Sequence, residues 1–284
     1  IKVSTVELKR ENLRLLEQSV DIENKLEKIC GVSFNPNSNQ ELGDLLLNHY
    51  GLPVVEVTKE GSPSFNDSAL KKYMKMIPES AGLFWLIRKI RRIEHIRTGF
   101  IEPYIEHQVD GFIHPNFNQS RARTGRMSGS NPNLQQVPKT EKFTWKHEDK
   151  IIDEWEAPGA RNFFIPRENH VMLDFDYSQI EYRLFVHYTN SKRMIDAYLK
   201  NKYMDFHQWC AEEILDNVLP RDKAKNINFG ILYGMGKKKF AKALGETEQK
   251  TSELLDRYYS KIPELRSLQE NTGRVLRTRG YVKT

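Results

Sequence analysis

The chain has 284 residues, 38% of them apolar and 29% charged, with a formal net charge of +6, enough length for one to three domains with buried cores. No apolar run approaches membrane-spanning length, and the opening IKVSTVELKR lacks the apolar stretch of a secretion signal. Two cysteines, Cys30 and Cys210, stand far apart and match no metal spacing, which predicts reduced thiols in a cytoplasmic protein.

In chain order, Leu8, Leu13, Leu15, Leu16, Val20, Ile22, Leu26 and Ile29 recur at near-helical spacing and predict a long helix from Val6 to Ile29. A turn at Phe34–Asn37 leads to a short helix, Glu41 to His49. Lys59 to Asp67 reads as a loop. Helices are expected again over Ser68–Met76 and Ala81–Arg97. Asp110 to Pro138 looks irregular or strand-like, and Lys139 to Ala157 reads as an exposed polar loop. In VMLDFD, Val171, Leu173 and Phe175 alternate with Met172, Asp174 and Asp176, which predicts a strand ending in carboxylates. Asp205, with Gln208 in capping-box position, opens a helix to Ile214. Pro220 sits at the start of a helix running from Arg221 to Tyr233, which Gly234 and Gly236 end. Two amphipathic helices follow, Glu248–Tyr259 and Pro263–Arg279.

The charge is unevenly spread. Gly111 to Thr140 contains no acid but carries Arg121, Arg123, Arg126 and Lys139. Arg221 to Lys242 carries seven basic residues against one acid, Asp222. Such stretches suit a polyanionic partner, and equally a solvated basic face.

Three constellations carry chemistry. In DFDYSQIEYR, Asp176 and the Tyr177 carbonyl offer the oxygen ligands that Mg²⁺ prefers, with Asp174 a rival one pleat back. A strand-end aspartate also serves as a turn or cap residue. In RDKAKNINFGILYG, Arg221, Lys225, Phe229 and Tyr233 are spaced by four and share one slowly drifting helical stripe. Two cations followed by two aromatics fit a nucleotide lying lengthwise, phosphates on the cations and a ring against the sugar or base. In TGRMSGSNPNLQQVP, Arg126, Asn133 and Gln135 can donate to phosphates or minor-groove acceptors, as could the side chains of any polar loop.

Together, residues Thr124–Pro138, Asp176–Arg183 and Arg221–Gly234 resemble the first three sequence motifs of family A DNA polymerases, in the family's order. FHQWCAEEIL after Asp205 resembles that family's Asp-x-His helix start, and Phe34–Pro53 and Gly61–Leu70 resemble its thumb-region pattern. The resemblance spans most of the chain. It implies an α+β, predominantly helical right hand of palm, fingers and thumb: 1–97 thumb with the start of the palm, 98–188 the first half of the palm, 189–284 fingers.

It also implies roles. Asp176 and the Tyr177 carbonyl would bind two Mg²⁺ ions. Glu181 would exclude a ribose 2′-hydroxyl. Arg221, Lys225 and His207 would hold the triphosphate, with Arg161 a weaker candidate, and Lys225 would also protonate the departing pyrophosphate. Phe229 would pack on the sugar, a phenylalanine there implying discrimination against dideoxynucleotides. Tyr233 and Gly234 would lie near the templating base. Thr124, Arg126, Asn133, Gln135 and also Gln179 would contact the minor groove at the primer end, with Gln179 shared with the nucleotide pocket. Primer-template DNA and deoxynucleoside triphosphates are the implied partners.

The family's His-Asp-Glu motif, source of a second metal-binding aspartate, has no counterpart in this sequence. The expectation is an incomplete palm, completed by a further C-terminal segment or a second polypeptide. Two other readings stand beside template-directed synthesis. One is a catalytically silent primer-template-binding fragment. The other is a single-subunit RNA polymerase, against which Glu181 speaks.

Overall fold

The computed structural model describes residues 1–122 and 124–282, which fall into two compact units, 1–173 and 174–284. Arg123 of the basic loop lies outside the described residues.

Unit 1 opens with helix α1 (Thr5–Cys30), capped by the Ser4 hydroxyl, which accepts from the Glu7 N–H. Then come α2 (Asn39–Gly43), running on through a wider π turn to His49, α3 (Asp67–Met76), α4 (Ala81–Ile96), with a second π turn to Ile101, and α5 (Glu102–His107). Helix α1 packs on α4. Leu8, Leu15, Ile22 and Leu26 are buried together with Phe84, Ile87, Ile90 and Ile93, each fully buried side chain contributing roughly 1.5–3 kcal/mol. Tyr73 of α3 stacks on Phe84 of α4 with ring centroids 5.2 Å apart. Of the apolar residues expected to make the α1 face, Leu13, Leu16, Val20 and Ile29 are exposed. The buried stripe of α1 is narrower than its apolar pattern.

Among the described residues, three two-stranded antiparallel sheets complete the unit: β1 (Gln108–Val109) with β2 (Phe112–Ile113), β3 (Asn116–Asn118) with β4 (Ser128–Ser130), and β5 (Glu141–His147) with β6 (Lys150–Ala157). The last pair corrects the expectation of an exposed loop over Lys139–Ala157. Its register pairs Phe143 with Trp155 and Trp145 with Asp153. Those aromatics bind the hairpin to α4: Trp145 packs against Trp85, Arg92 lies over Phe143, and the Trp85 indole N–H donates to Asp153 at 2.7 Å. Of the charges that suggested a loop, Lys142 pairs with Glu154 across the strands and Glu141 with Arg92 of α4.

A second correction concerns Val171–Asp176. The strand does not form, and residues 169–177 run as irregular chain. A strand needs a hydrogen-bonded neighbour, and among the described residues this segment has none, so Val171, Leu173 and Phe175 stay exposed. The shared strand face expected for Asp174 and Asp176 goes with it.

Unit 2 is helical: α6 (Ile180–Thr189), α7 (Lys192–Lys200), α8 (Phe206–Trp209) with a π turn to Ile214, α9 (Arg221–Leu232), α10 (Lys237–Leu244), α11 (Glu248–Lys261) and α12 (Pro263–Arg279). Its own core joins Tyr182, Phe206, Ile214, Ile227, Phe240 and Tyr258 among others. Gly230 is required inside α9, because a Cβ there would lie 2.3 Å from the Phe240 ring. Among the described residues, no helix is long and apolar enough to cross a membrane.

Candidate functional site

The stripe predicted on α9 keeps its accessible side. Arg221, Lys225 and Tyr233 are exposed and Phe229 is half-buried, while Ala224, Ile227, Asn228 and Ile231 turn into the core. Gly234 follows in the left-handed conformation, φ 66°, and stops the helix at Tyr233.

Helix α8 supplies the next layer. Asp205 caps it as expected, its Oδ1 accepting from the His207 and Gln208 N–H groups at 2.9 and 3.1 Å. The other oxygen, Oδ2, accepts from Arg221 Nε at 2.8 Å and lies 2.7 Å from Arg221 Nη2. One carboxylate therefore starts α8 and holds the first cation of α9. The Gln208 side chain turns to Glu212 rather than back to the cap. Burial opposes ionisation of Asp205, but Arg221 and the two backbone N–H groups outweigh it and hold the carboxyl below its ordinary range.

His207 is 6% exposed, its ring lying edge-on to Tyr182 at 4.8 Å and 5.6 Å from Phe229. Burial lowers its pKa, and the nearby Arg221 and Lys225 lower it further against the pull of Asp205. Both effects favour the neutral imidazole. Phe229 in turn stacks on Tyr233, centroids 6.2 Å apart and planes 7° from parallel. The Tyr233 hydroxyl donates to Glu181 on α6 at 2.8 Å. Unit 2 thus brings together Glu181, His207, Arg221, Lys225, Phe229 and Tyr233: cations at one end of α9, an aromatic stack at the other, and a carboxylate beside the stack.

Asp176 and Tyr177 precede α6 in exposed chain. Asp176 makes no ion pair or hydrogen bond among the described residues. It and the Tyr177 carbonyl are hard oxygen donors open to solvent, and they fit Mg²⁺ as a partial shell that substrate phosphates and water would complete. Among the described residues no three His, Cys, Asp or Glu side chains gather into a metal cluster. Gln179, φ 52°, is occupied locally: its Oε1 accepts from the Phe206 N–H at 3.0 Å, and its Nε2 donates to the Met204 carbonyl at 3.3 Å.

The remaining predicted residues belong to unit 1. Thr124, Arg126 and Gln135 are exposed and Asn133 is half-buried. Asn133 Oδ1 accepts from the Gln135 N–H at 3.0 Å, and Gln135 Nε2 donates to the Met127 carbonyl at 3.1 Å, which folds the segment back on itself. Arg161 is exposed, with its Nε donating to the Val137 carbonyl at 3.2 Å.

Three participants go beyond the residues that sequence patterns single out. Asp205 reads there as a cap only, though a cap carboxylate has a second oxygen to offer. Tyr182, buried under His207 and Phe229, looks like an ordinary core residue of α6. Asn228, buried and bonded to His207, gives no sequence signal at all.

Residues 5–284 match the model of DNA polymerase family A. The chain is 29% identical over 293 residues to DNA polymerase I of Geobacillus stearothermophilus, covering 100% of this chain and 31% of that protein. It is 30% identical over 285 residues to DNA polymerase I of Caldicellulosiruptor bescii, covering 95% of this chain and 31% of that protein. It is 27% identical over 293 residues to the thermostable DNA polymerase I of Thermus aquaticus, covering 100% and 33%. The chain thus spans about a third of the length of these curated relatives. In fold it is similar to the polymerase domain of Pol1 from M. smegmatis, solved in complex with DNA primer-template and dNTP. The TM-score is 0.81 at 23% identity, over 100% of this chain and 48% of that one. The α+β, predominantly helical architecture is thus that of a polymerase domain, and the chain belongs to DNA polymerase family A.

Proposed function

We propose that this chain carries the deoxynucleotide-binding part of a template-directed DNA polymerase, which extends a primer 3′-hydroxyl by nucleotidyl transfer. The observation that carries the reading is the cluster on α9 and its neighbours. Arg221, Lys225 and neutral His207 supply donors for a triphosphate, Phe229 supplies an apolar face for the sugar, and Glu181 is held beside it by Tyr233. Tyr233 and Gly234 lie at the end of α9 where the templating base belongs in this reading. Lys225, exposed and without an ion pair among the described residues, is in this reading the donor of a proton to departing pyrophosphate.

Asp176 and the Tyr177 carbonyl would hold Mg²⁺, two ions in the full site, which when bound supply a metal-activated 3′-hydroxyl and charge neutralisation on the leaving phosphates. Thr124, Arg126, Asn133 and Gln135 would contact the primer-template minor groove. Arg161 would be a weaker contact to the triphosphate, and Gln179 would serve the nucleotide pocket and the primer end. In this reading 1–97 is thumb, 98–188 the first half of the palm and 189–284 fingers. The partners are primer-template DNA and deoxynucleoside triphosphates, the same two classes of molecule with which the M. smegmatis polymerase domain was solved. A second polypeptide or further segment would supply the remaining palm carboxylate, and the compartment is the bacterial or phage-infected cytoplasm.

The test is equilibrium binding of dATP together with single-nucleotide primer extension, both in Mg²⁺. Arg221→Ala and Lys225→Ala are each expected to weaken dATP binding about tenfold, about 1.4 kcal/mol, and Asp176→Asn is expected to abolish extension by any polypeptide carrying this chain. Unchanged dATP affinity in both variants, or extension that survives Asp176→Asn, overturns the reading.

A further inference from the structure

Asn228 stands one position before Phe229 on α9 but faces the other way, into the core, and is 2% exposed. Its Nδ2 lies 3.1 Å from Nδ1 of His207, while its own carbonyl oxygen is buried without a hydrogen-bond partner. Asn228 thus gives the buried Nδ1 of His207 its partner while leaving its own carbonyl oxygen without one, and packing alone does not account for an amide there.

An amide nitrogen only donates, so the Nδ1 it meets must present a lone pair, and in a neutral imidazole the proton then sits on Nε2. Nε2 makes no hydrogen bond among the described residues and is not sealed from solvent. The ring has little freedom to turn, with Tyr182 edge-on, Phe229 beside it and Phe206 behind. A second proton on Nδ1 would set an N–H against the amide N–H, which adds to the burial and to the repulsion from Arg221 and Lys225 that already oppose it.

We infer that Asn228 is a positioning residue that fixes His207 as the neutral Nε2–H tautomer, so that the ring offers one oriented N–H donor to an incoming triphosphate. The triphosphate part rests on the function proposed above; the tautomer part does not. The arrangement separates two jobs within α9. Arg221 and Lys225 bring charge to the phosphates, and Asn228 sets the direction of an uncharged donor supplied by α8.

The tautomer is read directly by nitrogen NMR of the chain labelled with ¹⁵N-histidine, at neutral pH without nucleotide. The expected result for His207 is a bare Nδ1 and a protonated Nε2. A protonated Nδ1, or an even mixture, overturns the inference without any variant being made. In Asn228→Leu the two tautomers are expected to mix and dATP binding to weaken about tenfold; a His207 spectrum unchanged in that variant also overturns it. Asn228→Asp, which keeps the shape, reverses the hydrogen bond. Its carboxylate would accept from Nδ1–H and, with Asp205 on the same side of the balance against Arg221 and Lys225, move His207 titration to higher pH. Failure of His207 titration to rise there counts against the direct bond. Cys210 and Tyr258, buried on the neighbouring elements, remain neutral across this range because burial raises both. If the tautomer behaves as expected but neither His207→Ala nor Asn228→Leu alters dATP affinity, the positioning stands and the triphosphate role of His207 falls.

Discussion

Tyr233 and Glu181, 52 residues apart in sequence, are joined by a 2.8 Å hydrogen bond from the phenol to the carboxylate. Tyr233 is 62% exposed and stacks on Phe229, so the bond fixes Glu181 beside the aromatic face proposed for the sugar. Glu181→Ala should therefore relax sugar selection. Discrimination between dATP and ATP in single-nucleotide incorporation is expected to fall at least tenfold, about 1.4 kcal/mol. Tyr233→Phe keeps the stack and removes the bond, and should give a smaller loss in the same direction. Selectivity untouched by Glu181→Ala would remove Glu181 from the sugar pocket.

Lys225 and Phe229 sit one turn apart on the same stripe but serve different parts of the nucleotide in this reading. Lys225→Ala should raise the apparent KM for nucleotide and slow chemistry while leaving DNA affinity within about twofold of the parent, a difference of about 0.4 kcal/mol. Loss of DNA binding instead would place Lys225 on the duplex. Phe229→Tyr should increase use of dideoxynucleotides relative to deoxynucleotides. An unchanged ratio would detach Phe229 from the sugar.

Asp205 couples stability to pH. Its folded-state pKa is depressed below the ordinary aspartate value, so its ionised form stabilises unit 2 above about pH 4, and that contribution is lost as pH falls through the folded value. Asp205→Ala removes the cap as well and is expected to cost about 1 kcal/mol at neutral pH. Asp205→Asn keeps a capping oxygen but frees Arg221 from its charge partner. It should lower the melting temperature modestly at pH 7 and converge with the parent at acid pH, which flattens the acid limb of the stability curve. An acid limb as steep as the parent's would assign that behaviour to other carboxylates.

Much of this architecture is legible in the sequence, and the exceptions have physical causes. The helices from Thr5 to Cys30 and Arg221 to Leu232 are foreseeable because their apolar spacing and stop signals are local. The α9 stripe is readable for the same reason: spacing by four fixes a face whatever the surroundings. The hairpin at Glu141–Ala157 escapes a sequence reading because what seats it is the pairing of Phe143 with Trp155 across the strands and the contacts of Asp153 and Glu141 with α4, which no local pattern reveals. Val171–Asp176 reads as a strand and is not one, because alternation specifies a face but not a partner. Asn228 is invisible because an asparagine inside a helix looks the same whether it meets water or, as here, the ring of a histidine from another helix.

Gly230 gives the most direct test of how tightly α9 is seated. Replacing it with alanine improves helix propensity by about 1 kcal/mol, yet the new methyl would fall 2.3 Å from two atoms of the Phe240 ring. Phe240 is buried on α10, so the ring has no open space into which to swing. Overpacking of this kind costs roughly 1–3 kcal/mol or more, and at so short a distance the clash should outweigh the propensity gain. Gly230→Ala is therefore expected to lower the urea midpoint of unfolding without changing the slope. It should also weaken dATP binding, because α9 must shift to relieve the contact and carries Arg221 and Lys225 with it. Phe240→Leu opens the same space from the other side. Combined with Gly230→Ala it should cost less than the sum of the two single changes, the signature of residues in direct contact. Strict additivity would mean that the two side chains do not meet, and that α9 and α10 pack in a different register from the one seen.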